Sequence, residues 1–381
     1  MQTEIKTERK VLPYVALILT LFLLAPPTRG WWFMWGNRWL YMLLFSFFVS
    51  YGLTYLVRGW AIRIGALDYP NERKIHQIPT PLLGGIAIYL GFVGAVLSNS
   101  IFTKEVIGII IGASLLVYIG IIDDLKGIQA WLKLLTQVIA TSVVIILGVT
   151  LKVFPSDMLG HLGNITLTYL WIIGITNAFN FFDGMDGLAP GLGITVALFL
   201  GVLSFQTFQP FLGWLCIAIM GGCLGFFPYN FRFRRPASIF LGDSGGAFLG
   251  FSLSSLAIMG EWAESKPIVA LTAPLLIFWI FIFDMAHITI SRIAKRKVNN
   301  LKEWVEYVGE DHLHHRLVSV LNDKNLTVAV IFLITICLGL GATALRYART
   351  IDALLLILQA IIIVVLVTIL QRKGAQNNLT R

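Results

Sequence analysis

The chain has 381 residues, of which 57% are hydrophobic and only 13% charged, against about 25% charged in an ordinary soluble domain. With a mean hydropathy of +0.80 and 26 Phe beside 11 Trp, most of its surface has to face lipid, which excludes a soluble enzyme, a secreted disulfide scaffold and a disordered chain. The formal charge of +9 then reads as topogenic basic loops before it reads as nucleic-acid affinity.

A spanning helix needs about 20 apolar residues. Such runs lie near 11–25, 39–57, 83–99, 106–122, 131–150 and 164–180, then near 188–207, 211–227, 240–259, 268–290, 327–345 and 351–370. They predict an all-α, polytopic membrane bundle of about 11–12 transmembrane helices. The first run resembles a signal-peptide core in length, but it lacks a small-residue cleavage site and meets Pro26-Pro27, so it reads as an anchor. Cys216, Cys223 and Cys337 lie in apolar runs without a C-x-x-C pair and read as small membrane-buried hydrophobes.

Basic residues orient the bundle. With the N-terminus in the cytoplasm, the inner segments carry 22 Lys and Arg and the outer segments 7, the asymmetry expected of a cytoplasmic side. Trp31, Trp32, Trp35 and Trp39 then form an outer aromatic belt. The unusual polar segments all fall on the inner side: Arg73 to His76, Asp123-Asp124, Asn177 to Asp186, Asn230 to Asp243, and His312 to Arg316.

Asp123 and Asp124 close the fourth span; adjacent acids repel unless a cation is near, although Lys126 could neutralise one at a solvated helix end. In NAFNFFDGMDGLAPG, Asn177, Asn180, Asp183 and Asp186 recur every three residues, which on a helix puts them on one broad face, with Gly184 and Gly187 clearing room for a ligand. FLGDSGG opens the ninth span with Asp243 and Ser244; free N–H groups there suit an anion and the carboxylate a hard cation. Arg232, Arg234 and Arg235 upstream fit topogenic anchoring. In DHLHHRL, His312, His314, His315 and Arg316 suit phosphate better than zinc, because no thiol or second ligand pair accompanies them. Asp284 and His287, three apart on the tenth span, read as a structural polar pair near the site. With no Walker, dinucleotide or nucleophile-elbow motif present, magnesium and diphosphate chemistry at a membrane surface is the natural reading. A transporter would place acids near midspan in broken, repeated halves, and no matching halves occur.

DYPNERKIHQIPTPLLGG, Asp123-Asp124, NAFNFFDGMDGLAPG, FLGDSGG and HLHHR, in that order over about residues 58–330, resemble the polyprenyl-phosphate N-acetylhexosamine-1-phosphate transferase superfamily. HLHHR is similar to its WecA/TagO-like branch rather than to the MraY translocases, which use a UDP-MurNAc-pentapeptide. The resemblance implies N-terminal helices over 1–57, a catalytic core over 58–330 and C-terminal helices with a basic tail over 331–381. It implies transfer of a sugar 1-phosphate, most simply GlcNAc-1-phosphate, from a UDP-N-acetylhexosamine to undecaprenyl phosphate in the bacterial inner membrane. Mg²⁺ is the implied cofactor, with Mn²⁺ as a substitute; membrane lipid is a partner, nucleic acid is not, and a homodimer is left open. Asp243 and Asn180 are the implied metal ligands. Asp123 and Asp124 resemble the pair that orients and deprotonates the lipid phosphate. Asp183 and Asp186, with Lys74 and Phe240, resemble the nucleotide side. Lys133, Asn177, Asn230 and Arg316 are further implied substrate contacts, and His312, His314 and His315 the diphosphate and sugar loop. Leu82 stands where the family often has a basic residue.

Overall fold

A computed structural model of the chain describes residues 11–70, 78–233, 235–262, 267–298, 300, 303–304, 307, 309 and 311–379. The implied substrate contact Lys74, with Arg73 and His76, and the topogenic Arg234 lie outside the described residues. The fold is all-α and polytopic. Its helices are α1 (Val11–Leu24), α2 (Pro26–Met34), α3 (Arg38–Ile64), α4 (Gly85–Ser98), α5 (Lys104–Lys126), α6 (Ala130–Ile146) and α7 (Met158–Phe182). They continue with α8 (Leu188–Gln206), α9 (Pro210–Asn230), α10 (Gly242–Met259), α11 (Pro267–Ile277), α12 (Trp279–Ala294), α13 (Leu313–Leu321), α14 (Lys324–Thr343) and α15 (Thr350–Leu379).

Every predicted span coincides with helix, but not always with one straight helix. Among the described residues seven helices are long and apolar enough to cross a bilayer alone, and two bent pairs, α1–α2 at 72° and α11–α12 at 80°, raise that to nine. Pro26 and Pro27 open α2, where a missing N–H costs nothing but the ring cannot continue α1. The remaining predicted spans are the short α4 and α6 and the less apolar α10. The chain can put Ser252, Ser254 and Ser255 in α10 because α4, α5 and α7 pack around it and all three serines are buried. Small residues on α10 also let backbones approach closely. A Cβ on Gly120 of α5 would lie 2.4 Å from Ser244 Cα, and one on Gly85 of α4 would lie 2.2 Å from Gly245 Cα.

Local capping sets the helix starts. Thr103, Asp157 and Asp323 each accept a backbone N–H from three residues ahead, at 3.3, 2.9 and 3.0 Å, at the N-termini of α5, α7 and α14. After α3, the strands β1 (Leu67–Asp68) and β2 (Thr80–Pro81) pair antiparallel, Leu67 with Pro81 and Asp68 with Thr80. The chain leaving β2 then zips onto the segment entering α10. Phe240 N–H donates to the Pro81 carbonyl at 2.8 Å, Gly84 N–H to Phe240 at 3.0 Å, and Gly85 N–H to Leu241 at 2.8 Å. Thus the PTPLLGG and FLGDSGG segments, some 160 residues apart, lie side by side.

The opposite end of the bundle is closed by Arg38, which donates to both the backbone and side-chain oxygens of buried Asn99 and lies over the rings of Phe33 and Trp214 at 4.6 and 4.4 Å. Cys216 and Cys223 are buried as expected. Cys337 is exposed on the outside of α14, a helix long and apolar enough to cross a bilayer, a position compatible with a small membrane-buried hydrophobe.

Candidate active site

The site grows from the C-terminus of α5. Gly127, at φ +67°, ends the helix in a conformation that favours glycine, and Asp123 Oδ1 accepts the Ile128 N–H at 2.6 Å to steady the turn. The chain returns as α6, whose first turns put Lys133 Nζ in ion pairs with both Asp123 and Asp243 Oδ2, the latter at 2.7 Å. Lys133, not the exposed Lys126, answers the repulsion between the acids. One ammonium bridging two carboxylates from α5 and α10 is the electrostatic centre of the site. It borders a cleft of about 290 Å³, open mouth included, lined also by Asn180, Gln137, Thr136, Leu116 and Ile119.

Asp124 faces the other way. Its Oδ1 accepts the Asp243 N–H at 2.9 Å and its Oδ2 the Ser244 hydroxyl at 3.1 Å, so a carboxylate of the protein occupies the positive N-terminus of α10. Asp183 Oδ2 takes the Gly242 N–H at 3.2 Å. The expectation of free N–H groups at this helix start is therefore corrected: two of the chain's own acids use them. Burial, reinforced by the charges of Asp243 and Asp124, holds the Asp183 carboxyl well above the ordinary carboxylate range against that Gly242 hydrogen bond.

The single helical face drawn through Asn177, Asn180, Asp183 and Asp186 also needs correction. α7 stops at Phe182, and Gly187 at φ +79° turns the chain into α8, so the four side chains diverge. Asn177 exchanges amide hydrogen bonds with Gln137 of α6 at 2.8 and 3.2 Å. Among the described residues Asn180 Oδ1 is buried without a partner, and it lies against Gly246, where a Cβ would come within 2.1 Å of it. Asp186 Oδ2 accepts the Ala237 N–H at 2.8 Å, bracing the loop before α10. Asn230 is 1% exposed; its Oδ1 accepts from Gly187 N–H at 2.7 Å and its Nδ2 donates to Ile239 at 3.0 Å. Both Asn177 and Asn230 are thus used to lock helices and loops together. Phe240 is half-buried beside β2.

The histidine motif joins the same end of the bundle. A Cβ on Gly184 would lie 2.6 Å from His314 Nε2, so this imidazole packs directly on the turn after Asp183. His314 is 1% exposed, its ring lies tilted against that of His315 with centroids 4.2 Å apart, and among the described residues neither of its nitrogens has a partner. Burial first, then the neighbouring His315, His312 and Arg316, push it well below the ordinary histidine range. His312 pairs through Nδ1 with Asp284 Oδ2 at 2.9 Å. Asp311 is gripped by Arg292 at 2.7 and 2.9 Å; burial works to raise its carboxyl, but the guanidinium holds it below the usual value. Asp284 lies in the second arm of the bent pair α11–α12. It serves this loop, not an open path through the membrane of the kind a transporter would need.

Three participants were missed in the sequence: Gln137, Arg292 and Asp311. Gln137 had a signal, standing four residues after Lys133 and therefore on the same face of α6. Arg292 had one too, eight residues after Asp284 on one face of α12.

The sequence model of glycosyl transferase family 4 matches residues 106–261, which contain both arms of the Asp123–Lys133–Asp243 cluster. A Bacillus subtilis protein named as a probable undecaprenyl-phosphate N-acetylglucosaminyl 1-phosphate transferase is 34% identical over 302 residues, 78% of this chain and 82% of that protein. A Mycolicibacterium smegmatis decaprenyl-phosphate N-acetylglucosaminephosphotransferase is 31% identical over 360 residues, 84% and 87% of the two chains. An undecaprenyl-phosphate alpha-N-acetylglucosaminyl 1-phosphate transferase of Yersinia pestis is 30% identical over 262 residues, 66% and 71%. With one cluster of acids, lysine and histidines at one end of a membrane bundle, and relatives matched over most of their length, the chain belongs to glycosyl transferase family 4.

Proposed function

We propose that the protein transfers N-acetylglucosamine 1-phosphate from UDP-GlcNAc to a polyprenyl phosphate, undecaprenyl phosphate in the first instance, at the cytoplasmic face of a bacterial inner membrane, releasing UMP. The observation that carries the reading is the Asp123–Lys133–Asp243 cluster opening onto a cleft that is lined also by the apolar Leu116, Ile119 and Ala247. The names of the relatives support the same acceptor class and the same sugar phosphate. A phosphate headgroup needs the ammonium, and a prenyl chain needs the wall formed by Leu116 and Ile119.

The residues fit a magnesium ion. Asp243 and Asn180 would hold it, since Asn180 Oδ1 is buried without a partner and both residues line the cleft. Among the described residues no three of His, Cys, Asp and Glu are grouped as metal ligands. Mg²⁺ commonly takes one or two carboxylates and completes its shell with water and substrate phosphates. When bound, the ion would neutralise diphosphate charge and polarise the phosphorus under attack.

The chain's own residues divide the remaining work. Lys133 draws the acceptor phosphate to the cleft and offsets its repulsion from the donor. Asp123, unlike Asp124, faces the cleft and accepts the proton of a monoprotonated acceptor phosphate. The acceptor oxygen then bonds to the phosphorus that carries GlcNAc, and the bond from that phosphorus to the bridging oxygen of UMP breaks. Arg316 and the imidazoles hold the diphosphate in line. The deciding experiment incubates purified protein with undecaprenyl phosphate and a panel of UDP-sugars. UMP release with UDP-GlcNAc and Mg²⁺ is expected; turnover of UDP-MurNAc-pentapeptide in its place would overturn the assignment.

Sidedness is testable separately. Asn99 is buried and unsuited to a reporter, so in a Cys337→Ala background the exposed positions Phe102→Cys and Asn322→Cys serve. Phe102→Cys should react with an impermeant thiol reagent from the periplasm, and Asn322→Cys only after the inner membrane is opened. The reverse pattern would put the cleft on the side without UDP-sugars.

A further inference from the structure

Asp284 is 1% exposed in α12, and among the described residues the groups that bond to its carboxylate, His312, Leu313 and Arg316, all come from HLHHR. Its Oδ1 accepts the Leu313 N–H at 2.7 Å and lies 3.4 Å from Arg316 Nη2, while Oδ2 lies 2.9 Å from His312 Nδ1. Two turns along the same face of α12, Arg292 holds Asp311. The start of the motif is therefore strapped to α12 at two points. The strap alone would need only the Leu313 and Asp311 bonds. Asp284 does more, because it also holds one nitrogen of an imidazole and one arm of a guanidinium. Among the described residues, Arg316 Nε is buried without a partner and His312 Nε2 makes no hydrogen bond. A carboxylate accepting Nδ1–H fixes both the tautomer and the orientation of an imidazole.

We propose that Asp284 is a positioning residue for the transfer: it holds His312 with Nδ1–H turned inward, so that Nε2 is the nitrogen presented to the donor's diphosphate, and it aims Arg316 at the same group. The inference rests on the transferase reading given above. It assigns to a buried acid in a bent membrane helix the task of setting the chemistry of a loop 28 residues away.

The test uses full-length protein with ¹⁵N-labelled histidine. The chain has six histidines, and His312→Gln identifies the resonances of interest. Wild type should show His312 protonated on Nδ1, with Nε2 of the unprotonated type. In Asp284→Asn that preference should be lost, and kcat/KM for UDP-GlcNAc should fall about thirtyfold or more. The Leu313 N–H keeps an acceptor in this variant, so the fold is retained. Asp284→Glu, which restores the carboxylate, should recover the tautomer and about tenfold of the loss. The double variant Asp284→Asn with His312→Gln should lose no more than about threefold beyond the worse single variant, because coupled residues are not additive. An Nε2-protonated His312 in wild type, an unchanged tautomer in Asp284→Asn, or losses that multiply in the double variant would each reduce Asp284 to a strap and overturn the proposal. If wild type transfers nothing from UDP-GlcNAc, the transferase reading falls and the positioning role with it; the nitrogen spectrum still decides the His312 geometry, so the two failures are told apart.

Discussion

Asp243→Asn will leave the protein folded and lower the rate of transfer by more than about a hundredfold, about 2.7 kcal/mol of transition-state stabilisation. The side chain contributes one oxygen to Lys133 and faces the cleft, whereas the backbone N–H of the same residue makes the bond to Asp124 at 2.9 Å. Replacing a carboxylate by an amide of nearly equal volume removes the charged oxygen proposed to hold Mg²⁺ and keeps the helix start intact. Thermal unfolding in detergent should shift little while UMP release disappears at every Mg²⁺ concentration. Undiminished turnover at saturating Mg²⁺ would show that Asp243 is no ligand and serves only to pair Lys133.

Gly120→Ala should be severely damaging although it adds a single methyl group. Its Cβ would meet Ser244 Cα at 2.4 Å and Ser244 N at 2.6 Å; both are backbone atoms, so no rotamer change relieves the clash. α5 and α10 must separate, and overpacking of this kind costs about 1–3 kcal/mol. The same displacement draws Asp124 away from the Asp243 N–H and the Ser244 hydroxyl, so activity should fall about a hundredfold even in the folded fraction. Gly174→Ala on α7 is the control: nothing lies within 4 Å of the added carbon, and helix propensity makes the change neutral or mildly stabilising. Equal melting points and rates for the two variants would disprove the close approach of α5 and α10.

That the segments around Asp123, Asp183, Asp243 and His314 share one end of the bundle was readable in the sequence, because charge asymmetry and span counting depend on composition and length alone. The bends were not: Pro26-Pro27 marked one, but the break at Phe278 follows no proline at its own position, Pro274 lying a turn earlier inside α11. Nor was the division of labour among the acids readable. Asp123 and Asp124 are neighbours in sequence but project about 100° apart on the helix, so one meets Lys133 and the other caps α10. A period of three predicts a shared face only while the helix lasts, and α7 ends before Asp183. Asn177 and Asn230 have the composition of ligands but spend their amides on Gln137 and on backbone. Those partners are set by tertiary packing that residue spacing does not contain.

α2 leaves α1 at 72° and carries Trp31, Met34 and Trp35 largely exposed; nine residues of helix give it a length of about 14 Å. Indole rings favour the level of the lipid headgroups, so this arm suits one membrane surface while α3 runs from it to β1, which pairs with β2 beside the segment entering α10. The distance between arm and cleft is a property of the protein, but bilayer thickness is a property of the lipid. When the two differ, the surrounding acyl chains stretch or compress to meet a fixed depth, and the height of Lys133 within the bilayer is then set by the membrane's composition as well as by the protein.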